Sequence, residues 1–265
     1  MMLRSVFTKT MYDKRFFILG WFLGFAALAA LLVTFFPAMK QEGSLEMFVD
    51  SMPPAMQGFI GDLDNLRQLS TYLAAQLFDI RMQIIAGIMV VVLALKLTVG
   101  EEESGQLRTV LSLPISRASL LMQKWLAMVC IIGLALSGTA VGIYVSQFAI
   151  DESISLSILG QLMLMTWIVM VAFASVTFTV AIATGSRALA TIIGILLLAT
   201  SFVITTFAIG VDWLQSFEAA SLFYYFPAVE IAKSSIALKD VAVLLGLSAI
   251  MLIIAFVCFR RRDVQ

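Results

Sequence analysis

The chain has 265 residues, of which 61% are hydrophobic and 13% charged, with a mean hydropathy of +1.02. A soluble domain needs more polar surface than this, so the composition implies an integral membrane protein. The 17 basic and 17 acidic residues cancel and there is no histidine, which excludes a Ser-His dyad, an HExxH zinc site and a histidine proton relay; neither a resident metal nor a nucleic-acid partner is expected.

Residues 1–15 predict a short amphipathic helix. Leu3, Val6, Phe7 and Thr10 fall at helical spacing, while Arg4, Lys9, Lys14 and Arg15 can reach lipid headgroups or a protein partner. The apolar run that follows is too long for a cleavable signal peptide and no small-residue cleavage site succeeds it. Six membrane helices are expected at 16–36, 72–99, 125–150, 156–183, 189–209 and 241–259, each near the roughly 20 apolar residues a crossing needs. Two segments between them, 37–71 and 211–240, are read as lying outside, the first broken at Pro53 and Pro54 and the second placing FYYFPAVEIAKSS at the outer interface. The fold class is all-α and polytopic.

With both termini on one side, that side holds Arg4, Lys9, Lys14, Arg15, Lys96, Arg108, Arg117, Lys124, Arg187, Arg260, Arg261 and Arg262, against Lys40, Arg67, Arg81, Lys233 and Lys239 opposite. The positive-inside rule therefore predicts cytoplasmic termini. Lys96 is expected to snorkel to the cytoplasmic interface. The helix centres carry no ionisable residue, which disfavours an ion-coupled transporter, and the chain has no G-x-x-x-x-G-K-[ST] loop for nucleotide phosphates. Any energy for transport must come from a separate ATPase.

Within the crossings, Arg81 is either an interfacial anchor or part of an outward-facing path. Thr166, Ser175, Thr177 and Thr179 either line a polar path or bond back to the preceding turn. Gly20 with Gly24, and Gly138 with Gly142, have the spacing that lets helices approach closely, within the subunit or at a dimer seam. Cys130 and Cys258 are read as small buried hydrophobes.

The one long cytoplasmic loop interrupts this apolar pattern. Glu101, Glu102 and Glu103 favour a helix N-terminus. Leu107, Val110 and Leu111 then make an apolar stripe, Pro114 ends the turn, and Ser116 is placed to cap the next helix. A short mixed-charge helix beneath a membrane suits docking to a partner, and its acids are expected to pair with Arg4, Lys9 or Lys14 or with that partner.

GEEESGQLRTVLSLPISRASLLMQK, from Gly100 to Lys124, resembles the pattern of glutamates, glycine, leucine-rich helix, Pro-Ile-Ser-Arg and closing lysine found in the permease subunits of ABC-2 type exporters. The ending FVCFRRRDVQ and the start FTKTMYDKRFFILGWFLG are similar to the same family, so the likeness spans nearly the whole chain. The resemblance implies one permease domain over 1–265, of the type V exporter-like fold, with 1–15 as elbow helix and 101–113 as coupling helix. It implies a dimer of permeases, identical or different, on two ATP-binding subunits that hold the ATP and Mg; this chain itself carries no cofactor and is not an enzyme. By the same analogy Glu101, Glu102, Glu103, Gly105, Leu107, Arg108, Val110, Leu111, Pro114 and Arg117 serve ATPase coupling; Arg81, Thr166, Ser175 and Thr177 are, from their place in the helices alone, the candidates for a translocation path. Two functions remain open at this point: an ATP-driven exporter in the cell membrane, and a non-transporting anchor that recruits an ABC-type ATPase.

Overall fold

The computed structural model describes residues 5–40, 68–103, 116–150 and 152–261, and no β-strand occurs among them. The first helix, α1 (Val6–Asp13), is capped by Ser5, whose Oγ accepts from the Thr8 N–H at 3.2 Å. Lys14 turns the chain directly into α2 (Arg15–Lys40). That helix runs past Phe36, the expected end of the first span, and through Pro37. Proline removes one N–H and crowds the preceding turn, but Pro37 sits in the last turn, where only one ladder bond is lost.

The second span is composite: α3 (Leu69–Leu73), a π-helical segment π1 (Ala74–Arg81), α4 (Met82–Leu97) and, after a break at Thr98, α5 (Val99–Glu103). The π ladder is seen in the Met82 N–H, which bonds to the Leu77 carbonyl five residues back. The third and fourth spans are α6 (Arg117–Ser146) and α7 (Leu156–Thr184). Gly185 ends α7 with φ of 61°, a left-handed cap that costs glycine nothing. Ser186 next to it caps α8 (Arg187–Phe207), the fifth span, and the sixth is α11 (Leu238–Arg261). Between these last two lie the short helices α9 (Asp212–Gln215) and α10 (Ala228–Lys233).

Among the described residues six stretches are long and apolar enough to cross a membrane, so the chain is a multi-pass membrane protein. The second and fourth are the most enclosed, at 72% and 83% buried, and the first, fifth and sixth are the least, at 22%, 22% and 17%. In lipid no hydrophobic force drives helices together, so close packing must do it. Gly138 and Gly142 of α6 meet the backbone of Phe22 and Ala26 of α2, and Gly87 of α4 receives Leu198 of α8. Gly20 and Gly24 have no described atom within 4 Å of where a Cβ would stand, so among the described residues it is the second glycine pair that forms a close helix contact.

Part of the segment after α8, read as lying outside, packs into the helix bundle. Phe223 and Phe226 are buried, the Phe223 ring lies 4.9 Å from that of Phe173 midway along α7, and Ser221 donates to the Ser201 carbonyl of α8 at 2.9 Å. These two rings fill a site within the bundle, whereas Trp213, Phe217 and Tyr224 of the same segment stay exposed, and α10 packs on π1. Cys130 also departs from expectation: it is exposed on α6, and Cys258 is half-buried.

Candidate functional site

Charged side chains converge where the ends of five helices meet. Ser116 caps α6 by accepting from the Ser119 N–H at 3.2 Å, as its spacing predicts. From there α6 rises past Gln123, whose Oε1 accepts from the Phe7 N–H of α1 at 3.2 Å. The elbow candidate thus packs along the start of the third span, and its Val6 and Thr10 are buried. Gly138 touches Phe22, and these residues are 21 and 7 positions into their helices. At about 1.5 Å per residue the start of α6 projects some 20 Å beyond that of α2, which carries Lys124 past the first span's entry.

Lys124 is the centre of this region. Its Nζ lies 2.8 Å from the Glu101 Oε2 of α5, with side chains only 4% and 14% exposed, and it also donates to the Leu97 carbonyl at 3.0 Å. The carbonyls at a helix end lack partners, and a cation there satisfies both their hydrogen bonding and the helix dipole. Lys124 therefore bridges the break at Thr98, holding the end of α4 and the first turn of α5 at once. Glu101 and Glu102 sit in that first turn, where negative charge is favoured, and their N–H groups bond to the Thr98 carbonyl at 3.1 and 3.3 Å.

Two further contacts tie the same region to the fifth and sixth spans. Glu103 accepts from Arg187 Nη1 of α8 at 3.0 Å, in a pair 57% and 52% exposed. Arg117 donates to the Phe259 carbonyl of α11 at 3.3 Å and lies over that residue's ring. Lys14 is close enough to feel Glu101: burial pushes its ammonium below the ordinary lysine range, and the Glu101 charge opposes that shift. The acids thus find Lys124 and Arg187, which the loop's own pattern did not single out as partners. The signal for Lys124 was present as a lone lysine at the head of an apolar run. Arg187 carries no comparable local signal.

Of the remaining basic candidates, Lys9 is half-buried on α1 and Arg15 is exposed, its guanidinium stacked 3.9 Å from the Tyr12 ring centroid. Lys96 is exposed with its Nζ over the Phe17 ring at 5.0 Å, the placement snorkelling predicts. Arg4, Gly105, Leu107, Arg108, Val110, Leu111 and Pro114 lie outside the described residues.

The path candidates sit elsewhere and apart. Thr166, Ser175 and Thr177 are buried inside the bundle; Thr166 and Thr177 donate to the carbonyls of Leu162 and Phe173 four residues back, and Ser175 accepts from Trp125 Nε1 at 3.1 Å. Thr166 and Thr177 thus bond to the preceding turn, while Ser175 meets a side chain of α6. Arg81 is in π1, where its guanidinium binds the Gln76 carbonyl and, at 2.8 Å, the Gln76 Oε1, while Asp79 accepts from Gln83 at 3.4 Å. No group of three or more metal-ligating side chains occurs among the described residues.

The described residues thus form a multi-pass membrane protein of apolar helices whose ion-paired end lies at the loop between the second and third spans. Residues 6–264 match the family described as ABC-2 family transporter protein, and the chain belongs to it. It is therefore a membrane subunit of an ABC transport system, and the family works with an ABC ATP-binding subunit. No curated protein matched the chain by sequence.

Proposed function

We propose that this chain is the permease of an ATP-driven exporter, working as a dimer on separate ATP-binding subunits with its termini in the cytoplasm and its six helices in the cell membrane. ATP and Mg are held by those subunits, and substrate passes between the two permeases. In this reading α1 is the elbow helix and the 101–113 segment is the coupling helix that docks on the ATPase. Lys9, Lys14 and Arg15 then serve the cytoplasmic surface, and Arg81 with the α7 hydroxyls remains a candidate for the path.

The observation that carries the reading is the braced entry to the loop. Glu101 and Glu103 are held from α6 and α8, and Arg117 at its exit is held from α11. A passive linker needs no such anchoring, whereas a segment that transmits force must be tied to the helices it moves. Twelve of the 17 basic residues on the same side supply the orientation.

The test is to replace residues 101–112 by a flexible glycine-serine linker and coexpress the chain with the ATP-binding subunit. Loss of copurification and of complex-dependent ATP hydrolysis is expected; assembly and turnover at the original level would overturn the docking assignment. ATP-dependent substrate movement in proteoliposomes separates the exporter from a non-transporting anchor, which would recruit the ATPase and give no flux.

A further inference from the structure

We propose that Lys124 is the transmission point of this subunit, the residue through which movement of α5 is delivered to the third span. The inference rests on the exporter reading and adds to it a residue outside the loop.

Three observations converge on it. First, the second span is broken at Thr98, whose φ and ψ of −116° and −100° leave the helical range, so α5 is not a rigid continuation of α4. Without a further tie, a push on α5 would be absorbed at that break. Secondly, Lys124 closes the break from the side: its one ammonium holds Leu97 O on α4 and Glu101 on α5. Thirdly, Lys124 stands on α6, which is joined without interruption to the glycine seam at Gly138 and Gly142 and so to α2. Movement of α5 must then move α6 or separate a buried ion pair.

The second charge pair at this end supports the distinction. Glu103 and Arg187 are more than half exposed, where water and salt weaken the attraction, so that contact can open and close at little cost. Glu101 and Lys124 are nearly enclosed, and breaking such a pair leaves an uncompensated charge. Replacing a buried ion pair by apolar residues is often no loss to stability, so a role in fixing the relation between helices accounts for it better than stability does. Lys124 acts through Glu101 and the helix it stands on, and is a positioning residue.

The experiment uses the complex with its ATP-binding subunit, in a background with Cys130→Ser and Cys258→Ser. Spin labels at residues 145 and 203, exposed on α6 and α8, report the distance between these helices with and without ATP and vanadate. The background complex is expected to shift on trapping. Lys124→Met and Glu101→Gln should each reduce the shifted population roughly tenfold, the usual size of such couplings, with copurification kept and a lowered melting temperature, since each leaves one charge of a buried pair without its partner. Lys124→Arg, which retains the charge, should restore the shift.

Full shifts in Lys124→Met and Glu101→Gln would overturn the proposal, as would a background complex in which the distance does not change. If Lys124→Met does not assemble, Glu101→Gln, which keeps an acceptor for the ammonium, decides alone. Loss of assembly in Glu101→Gln and Lys124→Arg as well would make the residue structural and also overturn it. A chain that never copurifies with an ATP-binding subunit defeats the exporter reading itself, before any variant is made.

Discussion

Gly138 of α6 lies so close to the Phe22 carbonyl of α2 that a methyl group at residue 138 would overlap it. The contact is backbone against side-chain-free backbone, so neither partner has a flexible group to yield. Gly138→Leu is therefore expected to destabilise the fold by at least about 1–3 kcal/mol, the usual cost of overpacking. Gly20→Leu, on a face with no described neighbour, should leave the melting temperature of the single subunit unchanged. Thermal unfolding of both variants in detergent checks the pair, and equal effects would refute the assignment of the seam.

Thr179 does more than bond to its own helix. Its Oγ1 lies 2.7 Å from the Ser175 carbonyl and 2.8 Å from the Met251 carbonyl, which joins α7 to α11. Interhelical bonds of this kind in membrane proteins average about 0.6 kcal/mol and reach about 1.7. Thr179→Val, which keeps the shape, should cost an amount in that range by denaturant titration. Thr166→Val should cost less, because Thr166 donates within its own helix to Leu162.

The exposed pair between Arg187 and Glu103 should matter little to stability. Arg187→Ala is expected to lower it by no more than about 1 kcal/mol, with the difference shrinking as salt is raised. A large, salt-independent loss would show that the pair is buried in the assembled protein.

Lys14 provides a test by pH. Burial disfavours its ammonium, so it gives up its proton at a lower pH than an ordinary lysine, and Glu101 resists that change. Acylation of Lys14, followed by mass spectrometry across pH, should reach half its maximum below the ordinary lysine value. Glu101→Gln removes the opposing charge and should move that midpoint lower still; a midpoint that rises instead would reverse the sign of the interaction.

How much could be read in advance follows from the range of each signal. The six spans were legible because a crossing is a matter of length and apolar content, both local. The cap at Ser116 was legible for the same reason: one side chain and an N–H three residues on. The pairing of the glutamates was not: Lys124 stood out as a lone lysine at the head of an apolar run, but it lies 23 residues from Glu101, and Arg187, 84 residues from Glu103, carries no local signal. The burial of Phe223 and Phe226 against the bundle was not legible, because aromatic residues suit a membrane interface and a packed interior equally well, and the contact of Phe223 with Phe173 comes from 50 residues away. Composition likewise cannot separate α from π in YLAAQLFDIRMQ, since both bury the same residues and differ only in which carbonyl each N–H meets.

That π-helical stretch, Ala74–Arg81, changes how the chain's length should be read. A ladder spaced at five can lose a residue and close to a spacing of four while its flanks keep facing the same way. The same deletion within Met82–Leu97 would swing one flank by about 100° against the other. A one-residue gap in an alignment is therefore a neutral shortening at one place in this span and a rotation of the outer half at the other.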